Sequence, residues 1–155
     1  MAGLSGKIFS LSGKIGGART PHPHLVAIEL SEHCLLIPAF SAGGYEIEQY
    51  KKLVFPALGL LPEQAYVELD NAAHVRFYDG RPGNPAVWVV ERFGRWTKSD
   101  LSQHNPVGGI DTAGLLLVVE GLSALTAVRP ELFSPHLRKR IAKVAAELRL
   151  RNAAP

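Results

Sequence analysis

Short β-rich runs, each closed by turn-forming residues, fill most of the chain before residue 95. Six or seven such runs occur between residues 6 and 93. The clearest pair, His24–Leu30 and Cys34–Phe40, is separated by three residues, a spacing typical of a β-hairpin. Strands this short, at intervals marked by Gly, Pro, Asn and Asp, predict a small β-barrel or sandwich.

The remaining runs differ in how clearly they indicate a strand. Tyr45–Tyr50 fits an exposed strand and a helical turn equally well. Pro56 ends the strand predicted before it, and Asp79–Pro85 is rich in turn-forming residues and predicts a loop. The other predicted strands are Gly6–Leu11, Lys51–Phe55, Gln64–Leu69, His74–Tyr78 and Ala86–Phe93.

After residue 96 the pattern becomes helical. Thr97 and Asp100 have the spacing of a capping box, and Asp111 can cap a second helix that runs to Val128. Ser134 and Pro135 predict the start of a third helix. Its apolar residues recur at intervals of three and four, and they are Leu137, Ile141, Val144 and Leu148.

These patterns together predict an α+β fold that is mainly β. A barrel over about residues 6–95 precedes a helical part over about residues 97–151. The 155 residues are expected to form a single domain, because domains cluster at roughly 100–150 residues. A composition of 46% hydrophobic and 20% charged residues excludes a disordered tail protein.

The lone cysteine and the absence of a long apolar run bear on the compartment. Cys34 cannot form an internal disulfide, and it is expected to pack as a small hydrophobic residue. The most apolar run, Gly114–Val119, is far shorter than the roughly 20 residues of a membrane-spanning helix. The expectation is therefore a cytoplasmic protein without a membrane segment.

The net charge of +3 is distributed unevenly. Residues 1–128 hold ten Lys and Arg against twelve Asp and Glu, a net of −2, whereas residues 129–155 hold seven against two, a net of +5. The basic excess thus belongs to the terminal helix. Such a cationic face can bind nucleic acid or an acidic partner, although an ordinary solvated helix has the same pattern.

Generic catalytic motifs are missing from the sequence. The glycine-rich loops of nucleotide-binding folds and the Gly-x-Ser-x-Gly turn of hydrolases do not occur. His22 and His24, with His33 nearby, are the nearest approach to a metal site. They lack accompanying cysteine pairs or a carboxylate motif, so no metal and no cofactor are expected.

Several segments, in order, resemble the MazF/PemK/Kid family of bacterial toxins, whose fold is an SH3-like barrel with added helices. The resemblance covers about residues 6–79. It includes a basic loop with an Arg close to a Pro, and an apolar strand whose Pro leads to Ser or Thr. The matching segments here are Gly6–Leu11, Ala18–Pro21, His24–Ile28, Cys34–Ser41, Leu61–Asp70 and Val75–Arg76.

The resemblance implies cleavage of single-stranded RNA without a metal ion, in which the ribose 2′-hydroxyl attacks its own phosphate. Such a reaction needs a proton acceptor, a proton donor and stabilisation of the phosphorane charge. Arg19 matches the loop Arg, which would stabilise that charge, and Ser41 matches the position that donates to a phosphate oxygen. Asp70 and Arg76 match strand-end residues expected to bind RNA or to act as a base.

Three histidines are further candidates for RNA binding by their chemistry alone. Imidazole can accept or donate a proton near neutral pH, and His22, His24 and His74 are near the matched segments. The resemblance also implies a homodimer and an acidic antitoxin-like protein as partner. The alternative function is a non-catalytic barrel without enzymatic activity, in which a groove near Ser41–Tyr50 binds a peptide or protein.

Overall fold

A computed structural model describes residues 3–12 and 21–153. Within these residues, eight strands form one curled antiparallel sheet, a half-barrel, and helices follow it. The predicted α+β class, with an SH3-like barrel before C-terminal helices, is confirmed. The strands are β1 (Lys7–Leu11), β2 (His22–Glu29), β3 (His33–Ser41), β4 (Val67–Leu69), β5 (Val75–Phe77), β6 (Ala86–Trp88), β7 (Gly94–Thr97) and β8 (Gly108–Ile110).

The described helices are mostly short before residue 111 and long after it. One π-helical turn covers Tyr50–Val54, and two 3₁₀ turns cover Val90–Arg92 and Pro130–Leu132. None of these described helices combines the length and apolar character needed to span a membrane. The α-helices are α1 (Tyr45–Gln49), α2 (Phe55–Ala57), α3 (Pro62–Ala65), α4 (Asn71–His74), α5 (Lys98–Leu101), α6 (Thr112–Val128) and α7 (Pro135–Ala153).

The predicted hairpin of β2 and β3 forms the centre of the sheet. Its register pairs Leu25 with Ile37, and a bulge lies between Val26 and Ile28. Strand β3 is long enough to pair along its other edge with β7 at its start and with β6 at its end. Strand β3 thereby connects β6 and β4 to the remaining strands, in a sheet that curls into a half-barrel.

The segment after β3 is helical, which settles the open alternative for Tyr45–Tyr50. The strand predicted for Lys51–Phe55 is wrong, because these residues form the π-helical turn and the start of α2. Pro56 lies in the first turn of α2, where its missing N–H is tolerated. Leu53 is 64% exposed, so the apolar run belongs to a helix with one face toward solvent.

Two other predicted strands are broken by helical turns. In the predicted strand Gln64–Leu69, α3 replaces the first residues and only β4 remains. In Ala86–Phe93, the 3₁₀ turn after β6 separates that strand from β7.

Strand β8 lies between β1 and β5 in the sheet, beyond the range of residues 6–95 expected for the barrel. A side chain at Gly108 would place its Cβ 2.6 Å from the backbone oxygen of Arg76. Glycine therefore allows the close approach of β5 and β8. A Gly-Gly pair has no β-rich pattern, so the sequence did not indicate this strand.

The three C-terminal helices begin where the sequence predicts. Thr97 Oγ1 accepts a hydrogen bond from Asp100 N at 2.9 Å, and Asp111 Oδ1 accepts one from Gly114 N at 2.7 Å. Ser134 Oγ accepts from Leu137 N at 3.2 Å. Side-chain acceptors satisfy N–H groups that have no partner within a helix, so each cap fixes the start of its helix.

Apolar residues cover both faces of the sheet. The larger core joins Ile8, Leu25 and Ile37 of the sheet to the buried sides of α6 and α7. The smaller core, on the other face, contains Phe9, Leu11, Val26, Cys34, Leu36, Trp96 and Leu101. The alternation of neighbours such as Ile8 and Phe9 between two cores explains why these strands contain consecutive apolar residues.

Cys34 is fully buried in the smaller core, as the sequence predicts. Burial raises the pKa of its thiol to about 11, and the Glu29 carboxylate adds to the rise. At pH 8 roughly one thiol in a thousand is then a thiolate, the reactive form. We expect a disulfide reagent at pH 8 to leave Cys34 unmodified in the folded protein and to react quickly in urea. Fast labelling of the folded protein would contradict this.

Candidate functional site

Two adjoining cavities lie against the loop between β5 and β6. They share Phe77, Arg81 and Pro82 as lining residues. The first, named here the Ser41 cavity, has a volume of about 240 Å³ and is also lined by His22, Ser41 and Asn71. The second, named here the His74 groove, is more open and is also lined by His74, Arg76, Gly83 and Asp111.

The ends of two central strands position the Ser41 cavity. Ser41 is the last residue of β3, is exposed, and pairs with Ala86 of β6. His22 is the first residue of β2, and its ring packs against Phe40 with the ring centroids 4.8 Å apart. The Nε2 atom of His22 is shielded from solvent and has no hydrogen-bond partner among the described residues.

A buried amide supports the floor of the Ser41 cavity. Asn71 is 4% exposed, and its Oδ1 accepts a hydrogen bond from Nε1 of the fully buried Trp88 at 3.2 Å. A Cβ at Gly83 would lie 2.7 Å from the carbonyl carbon of Asn71. The loop between β5 and β6 therefore approaches α4 closely, and only glycine fits at this contact.

Arg81 lies where the two cavities meet. Its guanidinium carbon is 4.3 Å from the centre of the Phe77 ring, and its Nε is 3.5 Å from Asp79 Oδ2. The backbone N–H of Arg81 also donates to Asp79 Oδ1 at 3.0 Å. An exposed guanidinium that lies over an aromatic ring can contact a phosphate or stack on a base.

Within the His74 groove, a histidine and a carboxylate are in direct contact. The Nδ1 atom of His74 lies 3.0 Å from Asp111 Oδ1 and 3.3 Å from Oδ2. Arg76, on the exposed side of β5, lines the same groove. The groove thus combines one imidazole, one carboxylate and the two guanidinium groups of Arg76 and Arg81.

The residues predicted from the sequence fall into four groups. Ser41 and His22 share the first cavity, whereas His74 and Arg76 share the second. His24 and Asp70 line neither cavity. Arg19 lies outside the described residues.

His24 and Asp70 have structural roles in the folded chain. His24 is 1% exposed, and its Nδ1 lies 2.7 Å from the backbone oxygen of His22. Burial lowers the pKa of His24, which favours a neutral ring. Asp70 caps α4 through a hydrogen bond from Ala72 N to its Oδ1, at 3.1 Å. A buried ring cannot contact a bound polymer, so His24 belongs to the core.

Three lining residues were not singled out from the sequence. Arg81 lies in a segment identified only as a loop, although an Arg between turn-forming residues is a recognisable signal for an exposed charge. No motif in the sequence indicates Asn71, and Asp111 is indicated only as a helix cap. Its contact with His74, 37 positions away in sequence, has no local pattern that could have indicated it.

Searches against protein families, curated proteins and solved structures found no match to this chain. Among residues 3–12 and 21–153, no group of three or more His, Cys, Asp or Glu side chains is arranged to hold a metal ion. The evidence for a function therefore comes from the two cavities and their side chains.

Proposed function

We propose that this protein is an endoribonuclease that cleaves single-stranded RNA through attack of the ribose 2′-hydroxyl on the adjacent phosphate. The observation that carries the proposal is the Ser41 cavity. Ser41, which the family resemblance indicates, and His22, which its chemistry indicates, line one cavity, and Arg81 lies at its border. A hydroxyl, an imidazole and a guanidinium around one space match what phosphoryl transfer requires.

Two groups that line the Ser41 cavity have defined parts in the proposed reaction. The hydroxyl of Ser41 donates to a non-bridging phosphate oxygen, and the guanidinium of Arg81 balances the charge that develops on the phosphorane. The resemblance assigns Arg19 the same charge-stabilising part. The Phe77 ring beneath Arg81 supplies an apolar surface for a neighbouring base.

The substrate class follows from the geometry of the two cavities. Both are open to solvent and adjoin each other along one side of the loop, as suits a strand whose successive phosphates contact Arg81 and Arg76. Proteins bind single-stranded RNA by stacking unpaired bases on aromatic rings and guanidinium planes. The 2′-hydroxyl is the nucleophile, so DNA is not a substrate.

Two partners belong to the same proposal. The resemblance implies a homodimer and an acidic antitoxin-like protein. The exposed side of α7 carries Lys139, Lys143 and Arg151, which suits an acidic surface. These partners stay predictions.

Ser41→Ala is expected to lower the rate of RNA cleavage by about 100-fold or more, since loss of one donor to a developing oxyanion has an effect of that order. The substrate is a single-stranded RNA with a fluorophore and a quencher at its ends. The expected products carry a 2′,3′-cyclic phosphate and a 5′-hydroxyl. Arg19→Ala and Arg81→Ala should also reduce cleavage.

Matched controls separate the site from general effects of substitution. Ser31→Ala changes an exposed serine at the far turn of the central hairpin, and Arg95→Ala changes an exposed arginine on β7. Both should cleave at the wild-type rate. An RNA with a single 2′-deoxyribose at the cut site should stay intact. Intact RNA at excess wild-type protein would overturn the proposal.

The non-catalytic alternative has one specific observation in its favour. Tyr45, four residues after Ser41, is 79% exposed, and large exposed aromatic side chains are common at protein interfaces. If the chain is an interaction module, Tyr45→Ala should weaken binding of a protein partner, whereas Ser41→Ala should not. The endoribonuclease proposal predicts instead that Ser41→Ala lowers the rate of RNA cleavage more than Tyr45→Ala does.

A further inference from the structure

The geometry points to His74 as the general base of the RNA cleavage reaction and to Asp111 as the residue that positions it. This inference rests on the proposed function. It concerns the second cavity, the His74 groove, which the Ser41 cavity adjoins through Phe77, Arg81 and Pro82. Asp111 has no part in the family resemblance, and the sequence indicated it only as a helix cap.

Several independent contacts hold His74 beside Asp111. The backbone N–H of Asp111 donates to the backbone oxygen of His74 at 2.9 Å, and Val75 pairs with Ile110 where β5 meets β8. The side chains then meet at 3.0 Å. Because backbone and side-chain bonds join the same two residues, the imidazole has a defined orientation before any substrate binds.

The start of α6 fixes the carboxylate. Asp111 Oδ1 accepts from Gly114 N at 2.7 Å as well as from His74. A Cβ at residue 114 would lie 2.9 Å from the Cβ of His74, so glycine leaves the space that His74 occupies. The N-terminus of α6 thus holds a carboxylate that also contacts an imidazole in an open groove.

This contact determines which nitrogen of His74 can accept a proton. A carboxylate accepts hydrogen bonds and does not donate them, so Nδ1 must carry the hydrogen. In the neutral ring, Nε2 then has a free electron pair and can act as a base. Asp111 therefore sets both the orientation and the tautomer of the imidazole.

His74 is better placed for this role than the other two candidate histidines. His24 is buried, and its Nδ1 faces a backbone oxygen. His22 packs against Phe40, its Nε2 is shielded from solvent, and no carboxylate in the described part of the chain forms a hydrogen bond with that nitrogen. His74 alone of the three lines a groove together with a carboxylate and with the guanidinium groups of Arg76 and Arg81.

The proposed step transfers one proton from the 2′-hydroxyl to His74 and then back to water. The 2′-oxygen forms a bond to phosphorus while Nε2 of His74 accepts the 2′-hydroxyl proton, and the bond between phosphorus and the 5′-oxygen breaks. The leaving 5′-oxygen takes a proton from a water molecule. The imidazolium of His74 returns its proton to the resulting hydroxide, which restores water and the neutral ring.

The test compares His74→Gln and Asp111→Asn with wild type in the fluorogenic RNA assay. His74→Gln should lower kcat by about 100-fold, the usual range for loss of a general base. Asp111→Asn should lower it by a smaller factor, about 10-fold or more, because asparagine still caps the helix but no longer enforces one tautomer. His33→Gln, an exposed histidine at the start of β3, should have no effect.

Two readouts distinguish proton transfer from a structural role. Free imidazole should restore cleavage to His74→Ala, since it can enter the emptied groove and accept the proton. Nitrogen-15 NMR of the wild-type imidazole should show hydrogen on Nδ1 of His74, and Asp111→Asn should shift the ring toward hydrogen on Nε2. Thermal unfolding of each variant by circular dichroism should stay close to wild type.

The outcomes separate the two proposals. Cleavage that survives His74→Gln, while Ser41→Ala abolishes it, would overturn the role of His74 and leave the proposed function intact. A His74→Ala variant that imidazole does not rescue would also overturn it. Intact RNA with the wild-type protein would overturn the proposed function and this step together.

Discussion

Replacing Trp88 with alanine is expected to lower the free energy of unfolding by about 3–5 kcal/mol. Trp88 is fully buried, pairs with Ala39 of β3 and Val67 of β4, and donates its indole N–H to Asn71. Removing the ring leaves a cavity between these strands and an amide oxygen without its partner. Since a domain has about 5–15 kcal/mol of total stability, urea unfolding followed by circular dichroism should show the loss clearly.

A second substitution at the same position separates packing from hydrogen bonding. Trp88→Phe keeps an aromatic ring but removes the indole N–H, which leaves Asn71 Oδ1 buried without its donor. The expected cost of an unpaired buried acceptor is about 1–3 kcal/mol, less than for Trp88→Ala. Equal losses for the two variants would contradict the importance of ring packing, and no loss for either would contradict the position of Trp88 in the core.

Leu122→Ala should be the most destabilising substitution in the helical part, with an expected loss of about 2–5 kcal/mol. Leu122 is fully buried near the middle of α6 and belongs to the larger core, which joins this helix to the sheet and to α7. Deleting its side-chain carbons leaves a cavity where the helical layer meets the sheet. Urea unfolding measures this loss as a lower midpoint concentration, with an unchanged slope of the free energy of unfolding against urea concentration.

The same helix offers a matched control. Leu117 is 45% exposed, so Leu117→Ala makes the same chemical change with little loss of buried contact. Its effect should stay within about 0.5 kcal/mol. A similar loss for both variants would mean that helix propensity or the unfolded state, rather than burial, determines the stability of α6.

Elements with a local signal were predicted well from the sequence. The hairpin of β2 and β3 has two long β-rich runs and a short turn, and α6 and α7 have caps at their first residues. Each of these signals lies within a few residues of the structure that it predicts. The α+β class follows from these elements together.

Elements that depend on distant contacts were not predicted. The run Lys51–Phe55 has the composition of a strand, but its residues form the π-helical turn and the start of α2. Strand β8 contains two glycines, and its place between β1 and β5 depends on contact with residues about 30 and 100 positions away. Tertiary packing, and not local propensity, determines the secondary structure of such segments.

The residues of the candidate site also differ in whether a local pattern in the sequence indicates them. Ser41 was identified because it lies in a short segment that matches the family, and His22 because an imidazole can transfer a proton near neutral pH. The contact of His74 with Asp111 requires the pairing of β5 with β8, so no spacing in the sequence indicates it. Arg81 lies in a segment that the sequence predicts only as a loop, and no pattern there indicates its position between the two cavities.

The place of β8 also determines when the chain can fold during synthesis. Among the described strands, β5 joins the sheet through β8, which follows it by about 30 residues. A polypeptide leaves the ribosome from its N-terminus, so β5 is exposed to solvent or to chaperones well before its partner strand emerges. His74 and Asp111 therefore stay apart on a nascent chain, and the complete groove exists only after translation has passed the start of α6.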